Sequence, residues 1–440
     1  MKKFWSFVIV LAMWSNTIYA QKFNREALSA SYNKVKEGIL VDGLRFTGGV
    51  WYESGNLGEG MVWITKPNPE CPYEGDVVIP PAIEWEDEET GLKFVLKVIG
   101  IQDKAFESSN ITSVKIPITM KEIPSSAFRR CQKLKKIELP FGLEKIEPAA
   151  FYESGLTSIS IPSSVKEMGG ALKGCSALEH VKLPEGMKSL SGVFQNCISL
   201  KSVELPSTLT EIDDFNGCSN LEEIVIPDNV KKISGFEKCV SLKHIDIPAG
   251  VTSIDAFNYC SNLEEPELPE GLISLKGFAY CPLFKKGYIP SSVKKFGAYE
   301  GCAGIQQLVF PNGVELNPSS KLENCKGLRR IVNFPNVETI KKEYFKNCVS
   351  LDSIILPNTI KIIEEEAFSG CENLKYIEVE EGATTLMAYF DGIEGSRIIN
   401  LPSTLTKCRI KDITPYRGGK LELFFHSSNI SVDEILYLTN

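Results

Sequence analysis

The residues of this chain that could do chemistry are few and stand in rows. It has three histidines, His180, His244 and His426. A zinc site needs three or four ligands converging on one point. His180 and His244 occupy equivalent positions of a repeat, three periods apart, which is roughly 14 Å at the strand spacing of a sheet. They cannot share a metal. Two carboxylate runs, Asp213-Asp214 and Glu364-Glu365-Glu366, could in principle supply the acid and base of a glycosidase. Both fall between predicted strands and read as solvated faces. No HExxH, GxSxG, P-loop or CxxC pattern occurs, so the motifs of metal, nucleophilic and phosphate chemistry are missing. The reading is a non-enzyme, with no catalytic residue, metal or cofactor.

Cysteine is more abundant, at thirteen residues. Eleven occupy one column: Cys131, Cys175, Cys197, Cys218, Cys239, Cys260, Cys281, Cys302, Cys325, Cys348 and Cys371. Ser108 and Glu153 are read as the residues that replace cysteine in the first and third rungs. Equivalent side chains on neighbouring coils point in parallel, and nothing selects one pair over the next. The column therefore reads as small buried apolar residues with reduced thiols. Cys71 and Cys408 lie outside it, near opposite ends, and are not expected to pair.

The element that orders these rows is an aliphatic or aromatic residue followed by proline. It recurs from Ile116-Pro117 and Leu139-Pro140 through Ile289-Pro290 and Phe310-Pro311 to Leu401-Pro402, with Val379-Glu380 keeping the place without the proline. The spacing is 21 to 24 residues, which marks a solenoid. In one repeat, Leu200, Val203 and Leu205 form an LxxLxL core, alternating with Ser202 and Glu204 as a half-buried strand does. Pro206 then removes a ladder donor and ends the strand. Phe recurs twelve residues before most of these prolines, at Phe128, Phe194, Phe215, Phe236, Phe257, Phe278 and Phe345. A stacked spine of this kind is core. From the inward residue after proline to the spine is five residues in Ile123 to Phe128, three in Ile212 to Phe215, and five again in Ile363 to Phe368.

The expected fold is a β-rich solenoid of the α/β type. It is a curved leucine-rich-repeat horseshoe with a long parallel sheet on its concave face and short irregular or 3-10 turns on its convex face. About fourteen rungs at ~4.8 Å give one sheet roughly 60–65 Å long. The domains read as a signal peptide over 1–20, an N-terminal hairpin and cap over 21–98, the array over 99–405, and a C-terminal cap over 406–440. Phe424, Phe425, Leu436 and Tyr437 are the expected plugs of that last cap.

Met1-Lys2-Lys3 and the apolar run Phe4 to Trp14 form the signal sequence. It is too short to span a bilayer. Export follows, to the cell surface, periplasm or medium. Lysine plus arginine is 48 against 56 acids, a net charge of −8, which argues against a nucleic-acid partner.

On the outward strand positions, Lys115, Glu138, Ser160, Lys182 and Glu204 are polar and of mixed sign. Later rungs present Tyr288, Val309 and Ile355 there, with Lys286, Gln307 and Tyr376 two residues earlier in their rungs. An apolar and aromatic strip with a polar rim suits an interaction surface, although strand propensity alone also favours such residues. These six residues are the candidate binding site.

The block AFxxCxxLxxIxLP, as in Ala127, Phe128, Cys131, Leu134, Ile137, Leu139 and Pro140, resembles the BspA-like leucine-rich repeat family over roughly residues 40–405. The resemblance implies a horseshoe on an exported bacterial protein. It also implies binding and adhesion to host or extracellular-matrix proteins, such as fibronectin or fibrinogen. A glycan-binding or envelope-structural protein is the second reading. A monomer is expected in either case.

Overall fold

A strand that ends in proline buries only one face, so each coil must lie on its neighbour to complete a core. The computed structural model describes residues 34–37, 39–42, 44–50, 60–67, 72–89, 92–390, 397–412, 421–425 and 431–437. The expected signal sequence at 1–20, Cys71 and His426 lie outside these residues. The chain divides into two compact units, Met1–Leu209 and Thr210–Asn440.

In the first unit, strands Ile39–Val41, Leu44–Val50, Gly60–Ile64, Leu92–Ile101 and Ala82–Asp87 form a five-stranded sheet in that spatial order. Its buried side carries Phe46, Val62, Ile64, Leu96 and Val98. The array begins beside it. Glu74–Val78 pairs in parallel with Asn110–Lys115, placing Val77 opposite Val114, and Asn110–Lys115 pairs with Lys136–Glu138. Ser158–Ser160, His180–Lys182 and Ser202–Glu204 continue the pattern with Ile159, Val181 and Val203 in register. In each of these strands the central residue is buried and the flanking ones face outward. The spine stacks as Tyr73, Phe106, Phe128 and Phe151, with ring centroids 4.8, 5.1 and 5.5 Å apart.

In the second unit the ladder moves to the other side of the proline. Glu211–Asp213, Lys232–Ser234, Ser253–Ala256, Ser274–Gly277, Lys295–Ala298 and Glu315–Leu316 pair in parallel. The segments before the prolines at 227, 248, 269 and 290 hold no strand. Beyond them both sides carry strands. Gln307–Val309 pairs with Arg330–Val332. Ser353–Leu356, Tyr376–Val379, Arg397–Leu401 and Leu421–Phe425 make one sheet, and Thr339–Ile340 through Ser431–Tyr437 make another.

Two features of the expected fold are therefore corrected. The sheet is not one continuous ladder, and the arc after proline is not only irregular turn. The cause is the arc length. In Ser253 to Phe257, Ile254 and Ala256 are buried while Asp255 faces outward, so strand alternation runs straight into the spine. In the longer arcs Pro124, or a left-handed residue such as Ser126 or Glu366 (φ 56° and 58°), stops the strand after two residues. The short arcs carry a cost, because the left-handed turn falls on the spine itself, at Phe215, Phe257, Phe278 and Tyr299. Such a φ costs about 1–3 kcal/mol in a bulky residue. Complete burial of these four rings, at about 1.5–3 kcal/mol each, offsets it.

The α/β label is also corrected. Among the described residues the one helix is a single turn at 34–37, and the array is a β-solenoid. The nine to eleven residues from each proline to the next spine position are fewer than the ~12–15 a stable helix needs, and strands or left-handed turns interrupt them.

The cysteine column does more than fill space. The thiol of Cys131 donates to the carbonyl of Phe106, 2.9 Å away, in the preceding coil. Cys281 does so to Phe257 (3.2 Å), Cys302 to Phe278 (3.0 Å) and Cys371 to Phe345 (3.0 Å). Burial pushes the Cys175 thiol up to about 11 and the Cys281 thiol up to about 12, which keeps the donor hydrogen in place at neutral pH. The residues that replace cysteine are Ser109 and Ser154, not Ser108 and Glu153. Both are buried, and each hydroxyl lies 3.4 Å from the thiol of the next coil. Every cysteine of the column is free.

If the column is selected for its donor, Cys281→Ser should be tolerated better than Cys281→Ala by about 1 kcal/mol. Urea denaturation of the two variants measures this. Alanine equal to or better than serine would mean that only size matters.

Candidate functional site

The six candidate residues belong to the outward columns before the prolines, and these columns differ between the two units. In the first unit their charges pair across adjacent coils. Lys182 Nζ lies 2.6 Å from Glu204, and Glu138 sits between Lys136 (3.0 Å) and Lys115 (3.8 Å). His180 Nδ1 meets Ser202 Oγ at 2.9 Å, and His244, in the second unit, meets Asp246 at 3.0 Å. Both histidines are exposed, His180 on a strand and His244 in the unpaired segment before Pro248. Among the described residues no group of acids, histidines and cysteines could hold a metal. The carboxylate runs give no paired acids either, although Asp214 corrects its reading. It is buried, and it accepts the amide hydrogen of Phe215 at 2.9 Å, at the left-handed spine turn.

In the second unit the same surface opens into a groove, and its origin lies in two substitutions. The inward column before the proline is aliphatic in most rungs, for example Ile224, Ile245 and Leu308, but reads Pro266 and Gly287 in two successive coils. Proline has no N–H for a ladder. Gly287 is left-handed at φ +62°, and a Cβ there would meet Ile305 Cγ2 at 2.7 Å and Leu308 Cδ2 at 2.9 Å. Only glycine fits, and the strand cannot continue through it.

The backbone groups this would strand are satisfied by side chains. The Glu265 carboxylate accepts the amides of Lys285 (2.9 Å), Lys286 (2.7 Å) and Gly287 (2.7 Å). The carbonyl of Tyr288 accepts the Tyr299 hydroxyl at 2.7 Å. Tyr299 holds a place that is Phe in the three preceding rungs, Phe236, Phe257 and Phe278. The extra hydroxyl is explained by this one carbonyl. Its own pKa is driven far up by complete burial, so it stays a donor.

The resulting groove has a volume of about 1010 Å³. Of the six candidate residues it brings together Tyr288, Val309, Lys286 and Gln307, with Glu265, Pro266 and Glu267 from the first coil of the lining and Asn312 and Asn333 from the later ones. Tyr288 and Val309 are 48% and 46% exposed. The Tyr288 hydroxyl donates to Glu270, which also accepts from Ser291 Oγ at 3.0 Å. These two donors hold the Glu270 carboxyl below its ordinary range, and the same carboxylate pushes the Tyr288 phenol up.

Ile355 and Tyr376 do not line the groove. They lie on the sheet that begins at Ser353–Leu356, where Ser353 faces Tyr376 and Ile355 faces Glu378. Sequence reasoning missed two companions there, Ile398 and Phe424, both exposed. Phe424 had been read as a cap plug. Its place on an outward strand position opposite Asn400 corrects that reading, while the side chains of Phe425, Leu436 and Tyr437 are outside the description.

Substitution can separate the groove's supports from its surface. Glu265→Ala should destabilise the protein by about 1–2 kcal/mol and speed hydrogen exchange at residues 285–287, because three amides lose a charged acceptor. Tyr299→Phe should cost about 1 kcal/mol. Glu267→Ala, on the open wall, should stay within about 0.5 kcal/mol. Denaturant melts with exchange measurements check the set, and equal effects at Glu265 and Glu267 would remove the clamp.

Comparison with known proteins agrees with this architecture. The family model described as BspA type leucine rich repeat region matches residues 99–214, 191–300 and 296–411. Among solved structures, a leucine-rich repeat protein from Bacteroides ovatus ATCC 8483 is 21% identical, over 88% of this chain and 99% of its own, with a TM-score of 0.53. A leucine rich cell surface protein from Faecalibacterium prausnitzii A2-165 is 24% identical, over 91% and 98%, with a TM-score of 0.48. None of the curated proteins matches the chain. The matched repeats cover well over half of the sequence, and this chain belongs to the BspA-type leucine-rich repeat family.

Proposed function

We propose that this chain is an exported, non-enzymatic protein of the bacterial cell surface that binds another protein, with host or extracellular-matrix proteins as the partners. The observation that carries this reading is the groove at Tyr288 and Val309. There a segment that already lacks a ladder in the two preceding coils takes Pro266 and left-handed Gly287, and the supports Glu265 and Tyr299 hold it in one conformation. A scaffold that merely propagates has no need of such a rung. In a site it supplies a preformed, partly apolar surface with polar rims, the usual anatomy of an interface. The family membership supports the same reading.

In this reading Tyr288, Val309, Lys286 and Gln307 form the principal contact, and Ile355 and Tyr376 form a second, flatter one on the following sheet. Residues 1–20 act as the export signal. Residues 21–98 and 406–440 cap the array of 99–405, and within each unit the coils follow the curved horseshoe course of the repeat. Glycan binding is the second reading, favoured by the side-chain amides of Gln307, Asn312 and Asn333 in the groove.

The test is binding of residues 21–440 to immobilised matrix proteins and to a glycan array. Tyr288→Ala and Ile355→Ala/Tyr376→Ala run beside the unaltered chain. Protein binding weakened at least tenfold by Tyr288→Ala is the expected result, since an aromatic anchor of this kind is worth about 2 kcal/mol or more. Loss only in the Ile355/Tyr376 pair would move the site to the second sheet. Glycan binding alone would replace the reading.

A further inference from the structure

We infer that the groove takes an extended, cationic polypeptide segment, with a lysine or arginine two positions from an aliphatic side chain. The inference rests on the protein-binding reading and names the chemistry of the partner.

Charge is the first argument. Three carboxylates, Glu265, Glu267 and Glu270, stand at this end of the groove against one ammonium, Lys286. Their situations differ. Glu265 is engaged by three backbone amides. Glu270 is oriented by two hydroxyls and held ionised. Glu267 is exposed, with no ion pair or hydrogen bond among the described residues. In the first unit an acid at this strand position finds a lysine on the adjacent coil, as Glu204 finds Lys182. Here the same column reads Asp246, Glu267 and Tyr288, so Glu267 has an acid on one side and a phenol on the other. The negative potential is left for something outside the chain to neutralise.

Shape is the second argument. The lining residues come from four successive coils: 265–268, 286–291, 307–312 and 333. Three coil spacings of ~4.8 Å make about 14 Å, the length of roughly four extended residues at ~3.3 Å each. A chain lying across the coils presents every second side chain to the groove. One of these can reach Glu267 and Glu270. The next falls on Tyr288 and Val309, whose apolar surfaces are half exposed. The amides of Gln307, Asn312 and Asn333 each offer two donors and an acceptor, which suits a peptide backbone whose own groups are unpaired. A neutral glycan would use those amides and leave the carboxylate pair without a counter-charge.

The experiment is a peptide array probed with residues 21–440. It carries octapeptides with arginine or lysine two positions before valine or leucine, the same peptides with glutamate at the basic position, and scrambled versions. Binding to immobilised matrix proteins is measured in parallel with the same samples. The basic-aliphatic peptides should be selected, and Glu267→Gln should weaken them at least tenfold and flatten their salt dependence. Glu267→Gln/Glu270→Gln should weaken them further. Both residues are exposed, and circular dichroism confirms that the variants fold. Equal binding of the glutamate peptides, or an unchanged affinity in Glu267→Gln, overturns the inference. So does matrix binding that survives both substitutions, although it leaves the protein-binding reading standing. Loss of all protein binding in favour of glycans overturns both.

Discussion

Every part of this molecule depends on the contact between one coil and the next. A coil of 21 to 24 residues cannot bury its aliphatic column, its aromatic spine or its carbonyl groups by itself. Each of these needs is met at the neighbour. Phe106 is covered by Phe128 at 5.1 Å, and its carbonyl takes the Cys131 thiol. Stability is therefore close to a sum of nearest-neighbour terms, and any coil that departs from the pattern presents its unmet groups to the coil on either side. This is why the departures are informative. A substitution in a globular core can be absorbed from many directions, whereas here the compensation must come from the same rung or an adjacent one.

The change of ladder side in the second unit follows from the same contact. Two residues fewer between the inward position and the spine turn an interrupted arc into a strand, and the hydrogen-bonded ladder settles where the chain is most extended. The segment on the other side of the proline is then released from pairing in four successive coils. A rung that need not pair can accept Pro266 and left-handed Gly287. The broken rung thus arises where the ladder has already moved away, and the groove lies on a side of the coil that carries little of the stability.

The periodic part of this architecture could be read from the chain directly. Phe128, Cys131, Leu134 and Ile137 keep their offsets in rung after rung, and a column that repeats so often has only one use, the core. Features that depend on backbone torsion could not be read that way. The five-to-three shortening of the arc was visible in Ile212 to Phe215, but its consequence required knowing that Phe215 itself turns left-handed. Ser109 and Ser154 lie one position from the residues that the proline spacing indicates, because Phe106 and Phe151 stand eleven residues before their prolines where the other spine residues stand twelve. Tyr288 and Val309, both of which line the groove, were legible as outward aromatic and aliphatic residues in a polar column. Glu265 was not, because an acid in a polar column gives no sign that it holds three amides. The signals that could have found the site were Pro266 and Gly287 in an aliphatic column, and Tyr299 in a column of phenylalanines.

Those three residues also show how a repeat accommodates a broken rung. Consistency between local preference and global fold is what makes a sequence fold to one structure, and this chain is consistent in rung after rung. Where it is not, the inconsistency is answered: proline and glycine by a carboxylate clamp, an orphan carbonyl by a hydroxyl placed eleven residues later. An unanswered carbonyl in this position costs about 1–3 kcal/mol, so the first change is tolerable only with the second. A break with such supports is held in one conformation, which is what the proposed binding role of the groove requires. Glu267 stands at that break, exposed and without an ion pair or hydrogen bond among the described residues, so in the proposed role its carboxylate is left for the partner.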